Sequence, residues 1–243
     1  MRKIVVFLFV FSIYTLPLCA FDLAGGIHVD SFSGKPVVGF SFLAEENIIP
    51  KLAVRAQTDY LTANEYDIQI LGIMELAPVF LGCGFALEVT NTISPGMGLL
   101  LGWQITKNFA LETSAILTFT PTNLEKLHDI RAKLDFFYDT ENVNADFSYK
   151  LKTGIATKDF INTLAFQVEA FEQGIPVGLT VGAGSNFFID EKGFGLTTTV
   201  TGGLNVYTGK YGTYMATARI ALFSLREGNT TPYEVIVGAR FSL

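Results

Sequence analysis

Apolar and polar residues alternate along most of the chain after residue 20, and this period of two most restricts the possible fold. In segment 145–152 every apolar residue is odd-numbered, whereas segment 130–136 has the reverse phase. Successive side chains of a β-strand point to opposite faces, so both segments are typical of strands with one apolar and one polar face. The polar residues 139–142 between them predict a hairpin turn.

The same pattern predicts fourteen strands joined as an up-and-down meander. Their expected ranges are 21–31, 36–45, 50–60, 65–75, 79–90, 96–105, 108–119, 129–139, 143–153, 160–172, 176–190, 193–207, 212–225 and 232–243. The prolines after residue 20 all fall at or beside a predicted strand boundary, and proline cannot donate to a sheet ladder, so we expect none inside a strand. Twelve strands is the alternative if segment 155–190 folds otherwise.

The first 20 residues have the features of a secretory signal peptide. Arg2 and Lys3 precede an apolar run over 4–14, and Leu18-Cys19-Ala20 offers a small residue for cleavage. We therefore expect residues 1–20 to be removed and residues 21–243 to form the barrel domain. A retained membrane anchor and a lipid attached to Cys19 are the alternatives.

The composition excludes several classes of protein. Apolar residues make up 49% of the chain and charged residues only 16%, with a formal net charge of −6. Soluble domains usually carry about a quarter charged residues, and nucleic-acid binders are basic. After residue 20 no second apolar run reaches the length of a transmembrane helix, which excludes a helical membrane protein.

Strand length separates a membrane barrel from a soluble β-protein. Most of the predicted strands are longer than the roughly five or six residues usual in globular sheets, and they suit a tilted membrane crossing of about 9–11 residues. Aromatic residues such as Tyr66, Trp103, Tyr214 and Tyr233 lie towards strand ends on the apolar face, as in the aromatic girdles of membrane barrels. The sequence predicts an all-β antiparallel transmembrane barrel, with a soluble sandwich or lipocalin-like barrel as the alternative.

The chain resembles the bacterial outer-membrane β-barrel proteins as a class. The resemblance rests on the signal peptide, on the closing strand Tyr233 to Leu243 and on the tight turn within 103–111. It implies a location in the outer membrane, contact with its lipid, and recognition of the closing strand by the barrel-assembly machinery. If both termini are periplasmic, turns after even-numbered strands face the periplasm. The longest connection, 120–128, then lies outside, and Leu124 and Leu127 at helical spacing predict one helical turn there. A loop folded into the pore is the alternative.

The face opposite the apolar one is expected to line an aqueous lumen, because fourteen strands enclose more space than side chains fill. The candidate pore-lining residues are Lys51, Arg55, Asp59, Asp67, Glu75, Glu88, Glu112, Arg131, Lys133, Asp135, Asp146, Lys150, Lys152, Glu169, Arg219, Glu234 and Arg240. With Asp22 and Asp30 added, acidic residues slightly outnumber basic ones, which predicts weak cation preference. Mutual neutralisation, for example of Lys133 by Asp146, is the alternative role.

These features predict a pore for passive diffusion of ions and small polar solutes. A ligand-specific channel, for example for a hydrophobic or anionic nutrient, is a closely related alternative. A structural or surface-exposed barrel without conductance is an alternative of another class, and a barrel-type lipid hydrolase is a further one. His28 and Asp30 share the polar face of the first strand, but the sequence assigns no serine to them. Motifs for metal, nucleotide or hydrolytic chemistry are lacking, so we expect no enzyme activity, no cofactor and no nucleic-acid partner.

Overall fold

The computed structural model describes residues 21–31, 35–61, 66–90, 92–120, 122–155, 158–172, 174–190, 193–208, 212–225 and 232–242. In this part of the chain, no helix is long and apolar enough to cross a membrane. The predicted signal peptide, the proposed lipid site Cys19 and the terminal Leu243 lie outside these residues.

The described residues form fourteen β-strands. Their bounds are β1 Phe21–Asp30, β2 Val37–Ile49, β3 Leu52–Leu61, β4 Tyr66–Leu76, β5 Val79–Val89, β6 Ile93–Thr106, β7 Phe109–Thr120, β8 Asn123–Asp139, β9 Val143–Gly154, β10 Asp159–Phe171, β11 Val177–Asp190, β12 Gly193–Tyr207, β13 Thr213–Ser224 and β14 Tyr233–Ser242. Most agree with the predicted ranges to within a few residues.

Each strand pairs antiparallel with its neighbours in the chain, and β1 pairs with β14 to close the barrel. The closing ladder runs from Asp22 opposite Ser242 to Asp30 opposite Glu234. The fourteen-strand prediction is confirmed, and the twelve-strand alternative is wrong. We call the end where β1 begins and β14 ends the terminal mouth, and the opposite end the distal mouth.

Two sequence predictions about strand ends are wrong. β8 begins at Asn123, so the expected helical turn in 120–128 does not form; Phe119 pairs with Leu127 and Thr120 with Asn123, and register shifts take up the extra residues. Pro95 lies inside β6, contrary to the proline rule. It pairs with Leu87 of β5, but the ladder to β7 starts only at Gly96. Proline has no backbone N–H to donate. At Pro95 this loss breaks no hydrogen bond to β7, because β6 and β7 are not yet paired there.

The outer face of the barrel is apolar. Outward side chains such as Leu99, Leu101 and Val237 are exposed, and so much contiguous apolar surface is unusual for a protein solvated by water. Trp103 and Tyr214 lie near the terminal mouth and Tyr233 near the distal mouth, all exposed. This arrangement matches the aromatic girdles predicted from the sequence.

An apolar cluster lines part of the inner face near the terminal mouth. Ala53, Leu71, Ile73 and Leu100 are buried there, and Phe80 packs against them. The ring of Phe80 lies over Gly102 of β6, in the space that a Cβ atom at Gly102 would occupy. The glycine thus lets a large side chain cross its strand. Here β4 and β6, two strands apart in the barrel, approach within 8 Å between Cα atoms, so the wall curves sharply.

Candidate functional site

Most of the candidate pore-lining residues line one large cavity inside the barrel. It has a volume of about 700 Å³ and is lined by residues of β2 to β5, β7 to β10 and β14. The candidates that line it are Arg55, Asp67, Glu88, Glu112, Arg131, Lys133, Asp135, Lys150, Lys152 and Arg240.

The remaining candidates lie elsewhere. Lys51, in the turn between β2 and β3, and Glu75 line a second cavity of about 260 Å³ near the terminal mouth, which shares Arg55 with the large one. Asp146, Glu169, Arg219 and Glu234 are placed on β9, β10, β13 and β14. The backbone of Asp59 belongs to β3, but its side chain lies outside the described residues.

Arg131 of β8 is the centre of a charged cluster near the distal mouth. Its Nη1 atom lies 3.1 Å from Asp67 Oδ2, its Nε atom lies 3.2 Å from Asp129 Oδ2, and its Nη2 atom pairs with Glu88. Lys152 Nζ lies 3.7 Å from Glu88 and 3.8 Å from Asp129. These contacts join β4 and β5 to β8 and β9 across the lumen. Within the described ranges, no group of three or more potential ligands is arranged to hold a metal ion.

Arg55 of β3 makes the corresponding connection nearer the terminal mouth. Its Nε atom donates to Glu45 Oε2 at 2.6 Å and its Nη1 atom to Glu112 Oε1 at 3.4 Å. Glu112 belongs to β7, four strands away, and the sharp curvature of β4 to β6 brings the two walls within reach. Charge-assisted contacts of this kind are roughly twice as strong as neutral hydrogen bonds.

The other inward charges pair locally or with neutral donors. Lys133 Nζ lies 2.8 Å from Asp135 Oδ2. Arg240 Nη2 lies 2.5 Å from Asp22 Oδ2, and Arg219 Nη1 lies 3.1 Å from Glu234 Oε2. Glu169 accepts hydrogen bonds from Asn205 Nδ2 at 2.5 Å and from the Tyr207 hydroxyl.

His28 contacts polar side chains of β2 and β14 near the distal mouth. Its Nε2 atom lies 2.7 Å from Ser41 Oγ on β2, and its Nδ1 atom lies 3.5 Å from Glu234 Oε1 on β14. In the ladder between β1 and β2, Ser41 pairs with Gly26 and His28 pairs with Gly39. Ser41 and His28 are therefore on neighbouring inward positions of adjacent strands. The sequence could not assign this serine, because the register of β1 against β2 is not visible in the alternation alone.

The comparisons with known proteins support the fold. The chain is similar to a bacterial polysaccharide outer membrane secretin (TM-score 0.56, 12% identity, 92% of this chain and 98% of that one). It is also similar to the CymD monoaromatic hydrocarbon channel (TM-score 0.53, 9% identity, 93% and 88%). A third similar structure is a loop L8 deletion mutant of OmpT from Vibrio cholerae (TM-score 0.51, 9% identity, 92% and 98%). The fold is therefore that of bacterial outer-membrane barrels.

At such low identity these similarities establish the fold alone. No family model matches the chain. No curated protein matches it either.

Proposed function

We propose that this protein is an outer-membrane pore that lets ions and small polar solutes diffuse passively through its lumen. The observation that carries the proposal is the division of the barrel into two opposite surfaces. The outer face is apolar between aromatic ends, and the inner face carries ion pairs around a cavity of about 700 Å³. A barrel with this division is solvated by lipid outside and by water inside.

Other partners follow from this location. Outer-membrane lipid covers the apolar face, and an N-terminal signal peptide over residues 1–20 directs export. The barrel-assembly machinery recognises the closing strand, Tyr233 to Leu243. We propose no nucleic-acid partner.

Liposome swelling tests the pore proposal. The protein is purified from the membrane fraction, its folding is checked by heat-modifiable gel mobility, and it is reconstituted into liposomes loaded with an impermeant polymer. We expect swelling in isotonic arabinose to be faster than in raffinose, because a narrow aqueous lumen admits the smaller sugar more readily. A folded barrel that causes no swelling in either sugar would support the alternative, a structural barrel without conductance.

The contacts of His28 favour hydrolysis as a second candidate function. Ser41, His28 and Glu234 are joined in the order nucleophile, base and orienting acid. In such a site Ser41 Oγ would attack an ester carbonyl while its proton passes to His28 Nε2. That proton would then leave with the alcohol, and water would release the acid. All three side chains face the lumen, so the ester would be water-soluble and not a membrane lipid.

A fluorophosphonate probe tests this second function, since it reacts with activated serine hydroxyls. Hydrolase activity predicts a covalent adduct on Ser41 that His28→Ala abolishes, with Ser31→Ala as the control variant. Mass spectrometry of the folded protein without any adduct on Ser41 would exclude the hydrolase reading and leave the pore proposal intact.

A further inference from the structure

The basic and acidic members of the luminal ion pairs differ in how far they reach the water. Lys133 is 36% exposed and its partner Asp135 only 3%; Lys152 is 45% exposed and its partner Glu88 8%. Arg240 is 59% exposed against 28% for Asp22. Arg131 and Arg219 are likewise more exposed than their acidic partners. Of the described pairs that join Lys or Arg to an acid, only those of Arg55 have the opposite order.

This difference has a structural cause. Arg131 lies opposite Lys152 in the ladder between β8 and β9, and Lys133 lies opposite Lys150. We call these four residues the basic patch. Like charges directly opposite each other are destabilising, and the acids beside them, such as Asp129 and Asp135, relieve the repulsion. The acids are short and nearly buried against the wall, whereas the long basic side chains extend past them into the lumen.

Lys150 is a further basic side chain that extends into the lumen. It lines the large cavity and is exposed. None of the close ion pairs between described residues involves it, and its charge acts on Asp146 and Glu234 only at longer range. Its neighbour Asp146 has a buried Oδ1 atom without a hydrogen-bond partner. Lys150 is exposed and Asp146 only partly so, so water in this part of the lumen has more access to the ammonium group than to the carboxylate.

Apolar side chains line the large cavity beside the basic patch. Ile161 of β10 lies opposite Lys152 in the ladder, and Phe137 of β8 lies two residues from Asp135. Both line the same cavity as the patch. Cations next to apolar surface suit the carboxylate and the hydrocarbon part of a small organic acid.

We propose that the basic patch binds small organic anions and makes the lumen anion-selective, an inference that rests on the proposed pore. It reverses the weak cation preference expected from the count of charges in the sequence. A count gives all charges equal weight, whereas the Coulomb energy between a permeating ion and a charged group grows as their separation falls, so side chains that extend into the lumen act on the ion most strongly. Rings of lysine and arginine favour anions in pores.

The reversal potential in a steep KCl gradient tests the selectivity. We expect chloride permeability to exceed potassium permeability by about twofold or more. The triple variant Lys133→Gln, Lys150→Gln, Lys152→Gln should lose this preference or become cation-selective. The control triple Lys35→Gln, Lys107→Gln, Lys158→Gln removes the same charge from residues outside the strands and should keep it.

Lys150→Gln alone covers the case in which the triple variant does not fold, since it breaks no ion pair among the described residues. It should lower the chloride preference measurably. Wild-type protein that conducts but prefers potassium, or a folded Lys150→Gln variant with an unchanged reversal potential, would overturn the inference while the pore proposal stands. A folded barrel without conductance would overturn both.

Block by benzoate tests binding separately from selectivity. Benzoate added to wild-type channels in KCl should lower their conductance with a saturable concentration dependence, whereas its neutral isostere benzamide should not. The Lys150→Gln variant should need several-fold more benzoate for the same block. Equal effects of benzoate and benzamide would show that the patch does not recognise the carboxylate.

Discussion

Arg55 and Glu112 lie on strands four places apart, yet Arg55 Nη1 and Glu112 Oε1 are 3.4 Å from each other across the lumen. Arg55 also pairs with Glu45 on the adjacent strand. The three side chains therefore connect two facing walls of the barrel beside the inner apolar cluster. They narrow the path for water where they cross the lumen.

Replacing Arg55 by Gln should widen this path and destabilise the barrel. Conductance should rise, because the longest side chain of the group is shortened and its contact with Glu112 is lost. The free energy of unfolding should fall by about 1–3 kcal/mol, since two partly buried carboxylates lose their cation. Single-channel recording and urea unfolding measure the two effects. The double variant Arg55→Gln, Glu112→Gln should recover part of the stability; no recovery would contradict the contact.

Replacing Gly102 by Ala should destabilise the barrel, because the ring of Phe80 occupies the space that a Cβ atom needs. Overpacking of this kind costs about 1–3 kcal/mol. Gly202→Ala is the matched control, since no heavy atom lies within 4 Å of the added Cβ atom there. Urea unfolding followed by Trp103 fluorescence measures both. Equal losses in the two variants would mean that Phe80 does not cross Gly102.

A pair of neighbouring residues tests which face of the barrel meets lipid. Phe166 points outward and is exposed, whereas Gln167 points inward and lies opposite Asp146 of β9. Phe166→Arg should cost at least about 2–4 kcal/mol in lipid bilayers, since an arginine then faces the hydrocarbon core. Gln167→Arg should cost about 1 kcal/mol or less, because the added charge meets water and a carboxylate. Similar losses would contradict the assignment of the faces.

The reactivity of cysteines tests the same assignment chemically. Cys83 lies on the outer face of β5 and is exposed. In vesicles an uncharged maleimide should label it, whereas a charged, membrane-impermeant thiol reagent should not. In a Cys83→Ser background, Ser114→Cys places a thiol on the wall of the large cavity, and the charged reagent should label it. Labelling of Cys83 by the charged reagent would place β5 outside the membrane.

The strands could be predicted because alternation is a local property of the sequence. Arg131, Lys133 and Asp135 alternate with apolar residues on β8. The odd-numbered residues there form the inner face and the even-numbered ones the outer face, because successive side chains of a strand point to opposite sides. The inner apolar cluster was missed, although the run Leu99-Leu100-Leu101 is apolar in both phases and indicates a strand with two apolar faces.

The luminal contacts could not be predicted in the same way. The pair Arg55 and Glu112 depends on how sharply the wall curves, and the pair His28 and Ser41 depends on the register across a turn. Neither property is encoded in the residues of one strand. The exposed fraction of each charged side chain is also known only from the fold. From the sequence alone, the number of charges predicted cation preference.

The most direct test of the account is the conductance of the purified protein in a planar lipid bilayer, after heat-modifiable mobility shows that the barrel has folded. An aqueous lumen predicts discrete, long-lived conductance steps that grow with salt concentration. A folded barrel that inserts into the bilayer and never conducts would contradict the pore and would favour a structural barrel without conductance.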